Sequence, residues 1–116
     1  MNTRPELLER SIAACDAGNY DLAISLGQKL IDLYDAPEGL YALGLVYAVK
    51  ENWILTKKYC LETYKYLPEV PDNLNRLGVA LCNLGEIEEG LKYFKKGIDL
   101  GAQYCMTNYN YWIKKI

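Results

Sequence analysis

The strongest constraint on this chain is that it repeats itself. Residues 77–94, LGVALCNLGEIEEGLKYF, align on residues 43–60, LGLVYAVKENWILTKKYC, after a shift of 34 positions. Leu77 falls on Leu43, Gly78 on Gly44, Leu81 on Tyr47, Ile87 on Trp53 and Phe94 on Cys60. A weaker copy lies about 33 residues further upstream, where Leu7 matches Leu40 and Leu74, and Ser11 matches the two glycines. In that copy Tyr20 matches Trp53 and Ile87, and Ala23 matches Thr56 and Gly90. A period of this length implies stacked supersecondary units, each too small to bury its apolar face without a neighbour.

Each copy contains two helical patterns. Leu7, Leu8, Ile12, Ala13 and Ala14 fall on one helix face. Thr3 with Glu6 and Pro5 reads as a capped helix start, and Asp35 with Glu38 and Pro37 repeats the pattern. Gly18 and Gly85 stand where a left-handed residue would end the first helix of a pair. Second helices are expected from Tyr20, Trp53 and Ile87 to about Leu33, Tyr66 and Leu100, with Pro68 and Pro71 between units. Connections this short make neighbouring helices antiparallel, and no stretch alternates as a strand does. The expected fold is all-α, an array of about seven helices in one domain over residues 1–116. Its units run over approximately 4–36, 37–70 and 71–104, with a capping helix over 104–116.

The glycines acquire a physical reason from the period. A glycine inside a helix costs about 1 kcal/mol relative to alanine, so two at one register need compensation. Ser11, Gly44 and Gly78 lie on the side of the first helix that meets the second, opposite Ala23, Thr56 and Gly90. Small residues on both sides let the two axes approach.

These residues resemble the tetratricopeptide repeat. The third copy carries the family's positions as Leu74, Leu77, Gly78, Leu81, Gly85, Ile87, Gly90, Phe94 and Gly97. The second supplies Leu40, Leu43, Gly44, Tyr47, Trp53, Thr56, Cys60 and Pro68. The first supplies Leu7, Ser11, Ala14, Gly18, Tyr20, Ala23 and Leu30, with Arg10 in place of the usual leucine. The resemblance covers about residues 4–104 and implies a right-handed α-solenoid. It also implies a concave groove, lined by the first helices, that holds extended or helical peptides. Carried over position by position, it gives one ladder of Leu8, Tyr41, Asn75 and Tyr109 and another of Ile12, Leu45, Val79 and Ile113. Cys15, Ala48 and Cys82 form the floor beside them, with Val49 and Asn83 next in line, and Arg76 joins Asn75 as a polar group on the inner face. Some of these side chains are expected to pack between first helices and remain half exposed.

One subclass of the family grips a C-terminal carboxylate with lysine, asparagine and arginine. Arg76 and Asn75 fall near such positions, but Leu8, Ile12, Ala42 and Asp72 occupy others, so that clamp is absent. Glu9, Asp16, Glu38 and Asp72 give the groove acidic margins. The expected partner is an apolar or aromatic protein segment, neutral to mildly basic. The C-terminal stretch QYCMTNYNYWIKKI adds an aromatic surface at Tyr109, Tyr111, Trp112 and Ile113 that could pair with another copy. On a strict 34-residue spacing Trp112 takes the place of Gly44 and Gly78, which would block an eighth helix. An accessory domain of a larger enzyme, such as a transferase, is a further alternative.

Composition excludes several other classes. The chain has no histidine, and its four cysteines, Cys15, Cys60, Cys82 and Cys105, form no close pair, so neither a zinc site nor a nucleophile–base pair is expected. Each cysteine reads as a small buried hydrophobe. The acidic residues at Glu86, Glu88 and Glu89 open a helix, where they favour its positive end. A net charge of −2 with scattered lysines gives no basic face for nucleic acid. No apolar run approaches the ~18 residues of a membrane span, and the N-terminus lacks the apolar core of a signal peptide. No enzyme activity, cofactor or metal is expected, and a cytoplasmic setting is the simplest fit.

Overall fold

The structure, a computed structural model, describes residues 3–116. Seven α-helices follow one another among the described residues: α1 (Arg4–Asp16), α2 (Tyr20–Tyr34), α3 (Pro37–Val49), α4 (Trp53–Tyr66), α5 (Pro71–Asn83), α6 (Ile87–Asp99) and α7 (Gln103–Ile113). Each helix packs on the next, and the molecule extends over 47 × 24 × 20 Å. The odd-numbered helices also touch one another, α1 on α3, α3 on α5 and α5 on α7, whereas α2, α4 and α6 do not meet. The odd-numbered helices therefore line the inside of the curve.

Local signals set the helix ends. Thr3 Oγ1 accepts from the Glu6 amide, Asn19 Oδ1 from Leu22 and Asn52 Oδ1 from Leu55, each satisfying an unpaired donor of a first turn. Gly18 (φ 79°) and Gly85 (φ 88°) close the loops after α1 and α5 in the left-handed region. In the middle unit Glu51 takes that conformation (φ 57°) without being glycine. The capping pattern expected at Asp35 is not formed. Asp35 is itself the left-handed C-cap of α2, and Ala36 becomes the N-cap of α3 with no side-chain bond. Only two residues separate the two helices, so Asp35 is spent ending α2 and Ala36 is left to precede Pro37 at the start of α3.

The N-caps of the first helices, Thr3, Ala36, Val70 and Ala102, are 33, 34 and 32 residues apart. The third unit is short because Gly101 (φ 89°) turns the chain directly after α6. This two-residue deficit changes the register of everything on α7.

The core is a row of small clusters between successive helix pairs rather than one central mass. Leu7, Leu26, Leu30 and Ala36 form the first, and Ala14, Cys15, Ala23 and Val46 the second. Cys60, Leu77 and Leu81 make the third, and Cys82, Leu91 and Phe94 the fourth. Each buried leucine contributes roughly 1.5–3 kcal/mol, so stability is distributed along the array.

Candidate functional site on the inner face

Counting from the observed N-caps, Leu8, Tyr41 and Asn75 share one position on the inner face, and Thr107 continues that row. Ile12, Leu45 and Val79 share the second position, and Tyr111 continues it. Three sequence assignments are thereby corrected. Tyr109 does not extend the first ladder: it takes the register of Leu43 and Leu77 and packs on the cluster of Cys82, Leu91 and Phe94. Its ring lies 5.9 Å from the Lys95 ammonium on α6. Ile113 leaves the second ladder for the same reason. Trp112 likewise moves to the register of Val46 and Ala80 and packs inward on that cluster, while Asn110 takes the glycine position.

Leu8, Ile12, Tyr41, Leu45, Ala48 and Val79 are half-buried, and Val49 is 48% exposed. Leu8 packs on the Leu7 cluster, Leu45 on the Val46 cluster and Val79 on the Phe94 cluster, so these three serve the core with one edge and face the groove with the other. Cys82 is a further correction. It is buried, points at α6, and its Sγ lies 4.0 Å from the Ile87 carbonyl. The tight approach at Gly90 draws it there. Asn83 is exposed, with its Nδ2 donating to the Val79 carbonyl at 2.8 Å.

A polar network crosses the first helices. Arg4 on α1 makes a forked pair with Glu38 on α3, the closest contact 2.8 Å. The Arg76 guanidinium of α5 stacks 4.8 Å above the Tyr41 ring of α3, with Nη2 3.4 Å from Tyr41 Oη. Tyr41 Oη also donates to Asp72 Oδ2 at 3.4 Å, and Tyr104 Oη donates to Asp72 Oδ1. Asn108 Nδ2 of α7 donates to Asn75 Oδ1 at 2.8 Å, the same inter-helix position that Arg76 and Tyr41 occupy one unit earlier. Arg76 Nη1 is buried with no protein acceptor. Sequence reasoning placed Arg76 and Asn75 on this face but missed Tyr104 and Asn108, because both depend on the 32-residue third unit. Of the acidic margin, Glu38 and Asp72 are engaged in these bonds, whereas Glu9 and Asp16 are exposed.

The thiols are buried without partners of their kind. Burial pushes Cys60 up to about 12, against a small opposing pull from Arg76. Burial likewise raises Cys82 to about 11, and burial with the nearby Asp72 raises Cys105 to about 11. Such thiols are poor nucleophiles near neutrality. Among the described residues no group of three histidine, cysteine, aspartate or glutamate side chains converges as metal ligands would. No described helix is long and apolar enough to cross a membrane.

No protein-family model matches the chain. Over 102 residues it is 30% identical to heat shock protein STI1 of Saccharomyces cerevisiae, an alignment that covers 86% of this chain and 17% of that relative. Among solved structures, a mutant O-GlcNAc transferase of Thermobaculum terrenum superposes with a TM-score of 0.85 at 18% identity, over 95% of this chain and 22% of the transferase. MamA superposes with a TM-score of 0.84, also at 18% identity, over 98% of this chain and 68% of MamA. The chain thus spans only a minor part of the curated relative and of the transferase.

Proposed function

Because this chain is an array of tetratricopeptide repeats, we propose that it is a non-catalytic protein-interaction module whose inner face holds a peptide segment of a partner. The observation that carries this reading is the half-exposed apolar row of Ile12, Leu45, Val79 and Tyr111, continuous over four helices, with Val49 exposed beside it. Apolar side chains repeated along one open face are costly in water unless something covers them. The residues proposed to contact the partner are Leu8, Ile12, Tyr41, Leu45, Ala48, Val49, Asn75, Arg76, Val79, Asn83 and Tyr111.

The partner segment is apolar or aromatic and neutral to mildly basic, the charge preference resting on Glu9 and Asp16. A free carboxyl terminus is not required. Asp72 stands where a clamp would need a lysine, and its carboxylate repels another. Selection from a random displayed-peptide library tests this directly. Enriched peptides should carry two or more apolar residues and bind with equal strength as acids or amides. Val49→Glu should weaken them at least tenfold, with helical content unchanged because the side chain is nearly half exposed. Undiminished binding by Val49→Glu and by Tyr111→Glu together would remove the groove from consideration.

A further inference from the structure

Three clefts recur at one place in successive units. The first lies between Ile31 of α2 and Leu40 of α3 and is walled by Glu62 and Tyr66 of α4. The second lies between Tyr64 of α4 and Leu74 of α5 and is walled by Lys96 and Leu100 at the end of α6. The third, about 440 Å³, lies between Ile98 of α6 and Met106 of α7, with Tyr109 and Asn110 beside it. Ile31, Tyr64 and Ile98 each stand twelve residues past their N-caps, and Leu40, Leu74 and Met106 each stand four past theirs. The third cleft therefore has the same two walls as the others, and among the described residues no helix supplies a third.

We propose that α7 of a second copy of this chain fills that place, forming a two-fold symmetric dimer that does not depend on groove occupancy. Met106, Tyr109, Asn110 and Ile113 form one helical stripe along the open side of α7, and Met106 and Ile113 are 38% and 36% exposed. A second helix in this fold runs antiparallel to the first. An antiparallel α7 about a two-fold axis places each copy in the other's open position, a self-complementary contact.

Charge fits this arrangement. Lys114 and Lys115 stand at the C-terminal end of α7, and Asp99 lines the cleft at its N-terminal end. Antiparallel pairing sets Lys114 of the second copy against Asp99. Asn110 occupies the register of Gly44 and Gly78, where the second helix comes closest. A side-chain amide there, donor and acceptor at once, can pair with its own copy across the axis.

The α1 side of the described array differs in chemistry from the α7 side. There α1 presents Glu6, Glu9 and Arg10 where later units carry Gly39, Ala42 and Leu43, and all three are exposed. Arg10 stands exposed at the register that Leu43 and Leu77 fill in the later units. A polar end does not match the apolar stripe of α7, so association stops at two. An 11-residue helix is only about 16 Å long, and the interface falls at the low end of specific contacts.

Sedimentation equilibrium of the whole chain from about 5 to 500 μM tests the assignment. The mass should rise from 13.2 kDa to twice that and no further. Met106→Glu should raise the dissociation constant at least tenfold, with circular dichroism reporting an intact fold. Asp99→Lys should weaken the dimer as well, and Asp99→Lys with Lys114→Asp should restore it. A chain that stays monomeric at 500 μM, that assembles beyond two, or that dimerises equally well in all these variants overturns the proposal.

Discussion

Replacing Gly90 by alanine is expected to destabilise the chain by about 2–4 kcal/mol, although alanine is the better helix former by about 1 kcal/mol. A methyl group at this position would lie 2.5 Å from Cys82 Sγ, 2.8 Å from the Gly78 carbonyl oxygen and 3.3 Å from the Cys82 amide nitrogen. Two of those atoms belong to the α5 backbone, so no rotamer change relieves the contact and the helix pair must separate. Separation loosens the packing of Leu91 and Phe94, which sit in the same cluster. The register predicts a contrast. At Gly44 the nearest atom to an added methyl is the Cys60 Sγ at 3.0 Å, and the next lies at 3.7 Å. One side chain can yield by a few tenths of an ångström, and the gain in helix propensity offsets the cost. Urea denaturation of Gly90→Ala and Gly44→Ala should therefore show a large loss for the first and a change under about 1 kcal/mol for the second. Equal midpoints would mean that close approach of α5 and α6 is not what the glycine serves.

This contrast shows what the repeat made legible. Recurrence of small residues marked Gly78 and Gly90 as facing one another, and the Gly78 carbonyl lies 2.8 Å from where a Gly90 methyl would stand. The same matching also located helix pairs, their loops and the rows on the inner face of α1, α3 and α5. It failed where the period was assumed rather than observed. Nothing in residues 99–103 signals that α7 begins two residues early except Gly101, and a glycine in a loop is compatible with several lengths. A slip of two residues turns a helix by about 200°, enough to exchange groove and core. Tyr109 and Trp112 moved inward as a result; Thr107 replaced Tyr109 on the first row, Tyr111 replaced Ile113 on the second, and Asn110 took the glycine register from Trp112. Cys82 was misplaced for a different reason. Its position alone allows it to face either the groove or α6, and only the absence of a side chain at Gly90 draws the sulfur inward.

Stability should fall steeply between pH 9 and pH 10, earlier than tyrosine and lysine titration alone would bring about. An exposed thiol titrates near 9.0, whereas Cys60 is held at about 12 and Cys82 and Cys105 at about 11. A raised value in the folded state means that the neutral thiol is the form the fold accommodates. That stabilisation is complete below about pH 9, where both states keep the proton. It is lost above pH 9, as the unfolded chain releases protons that the folded chain retains, until the folded values near 11–12 are reached. Each thiol contributes about 1.4 kcal/mol per pH unit in that window, so three together remove roughly 4 kcal/mol by pH 10. That is a large share of the ~5–15 kcal/mol typical of a whole domain. Cys15, also raised by burial, steepens the fall, and the raised Tyr104 phenol adds to it above pH 10. Urea titrations at half-unit steps from pH 8 to pH 10, under reducing conditions, measure the slope. Cys60→Ala should lower it by one proton while leaving the pH 8 midpoint only modestly reduced. A flat profile across pH 9–10 would mean that the thiolates reach water in the folded chain, and that the contacts between successive helix pairs open far more readily than their burial implies.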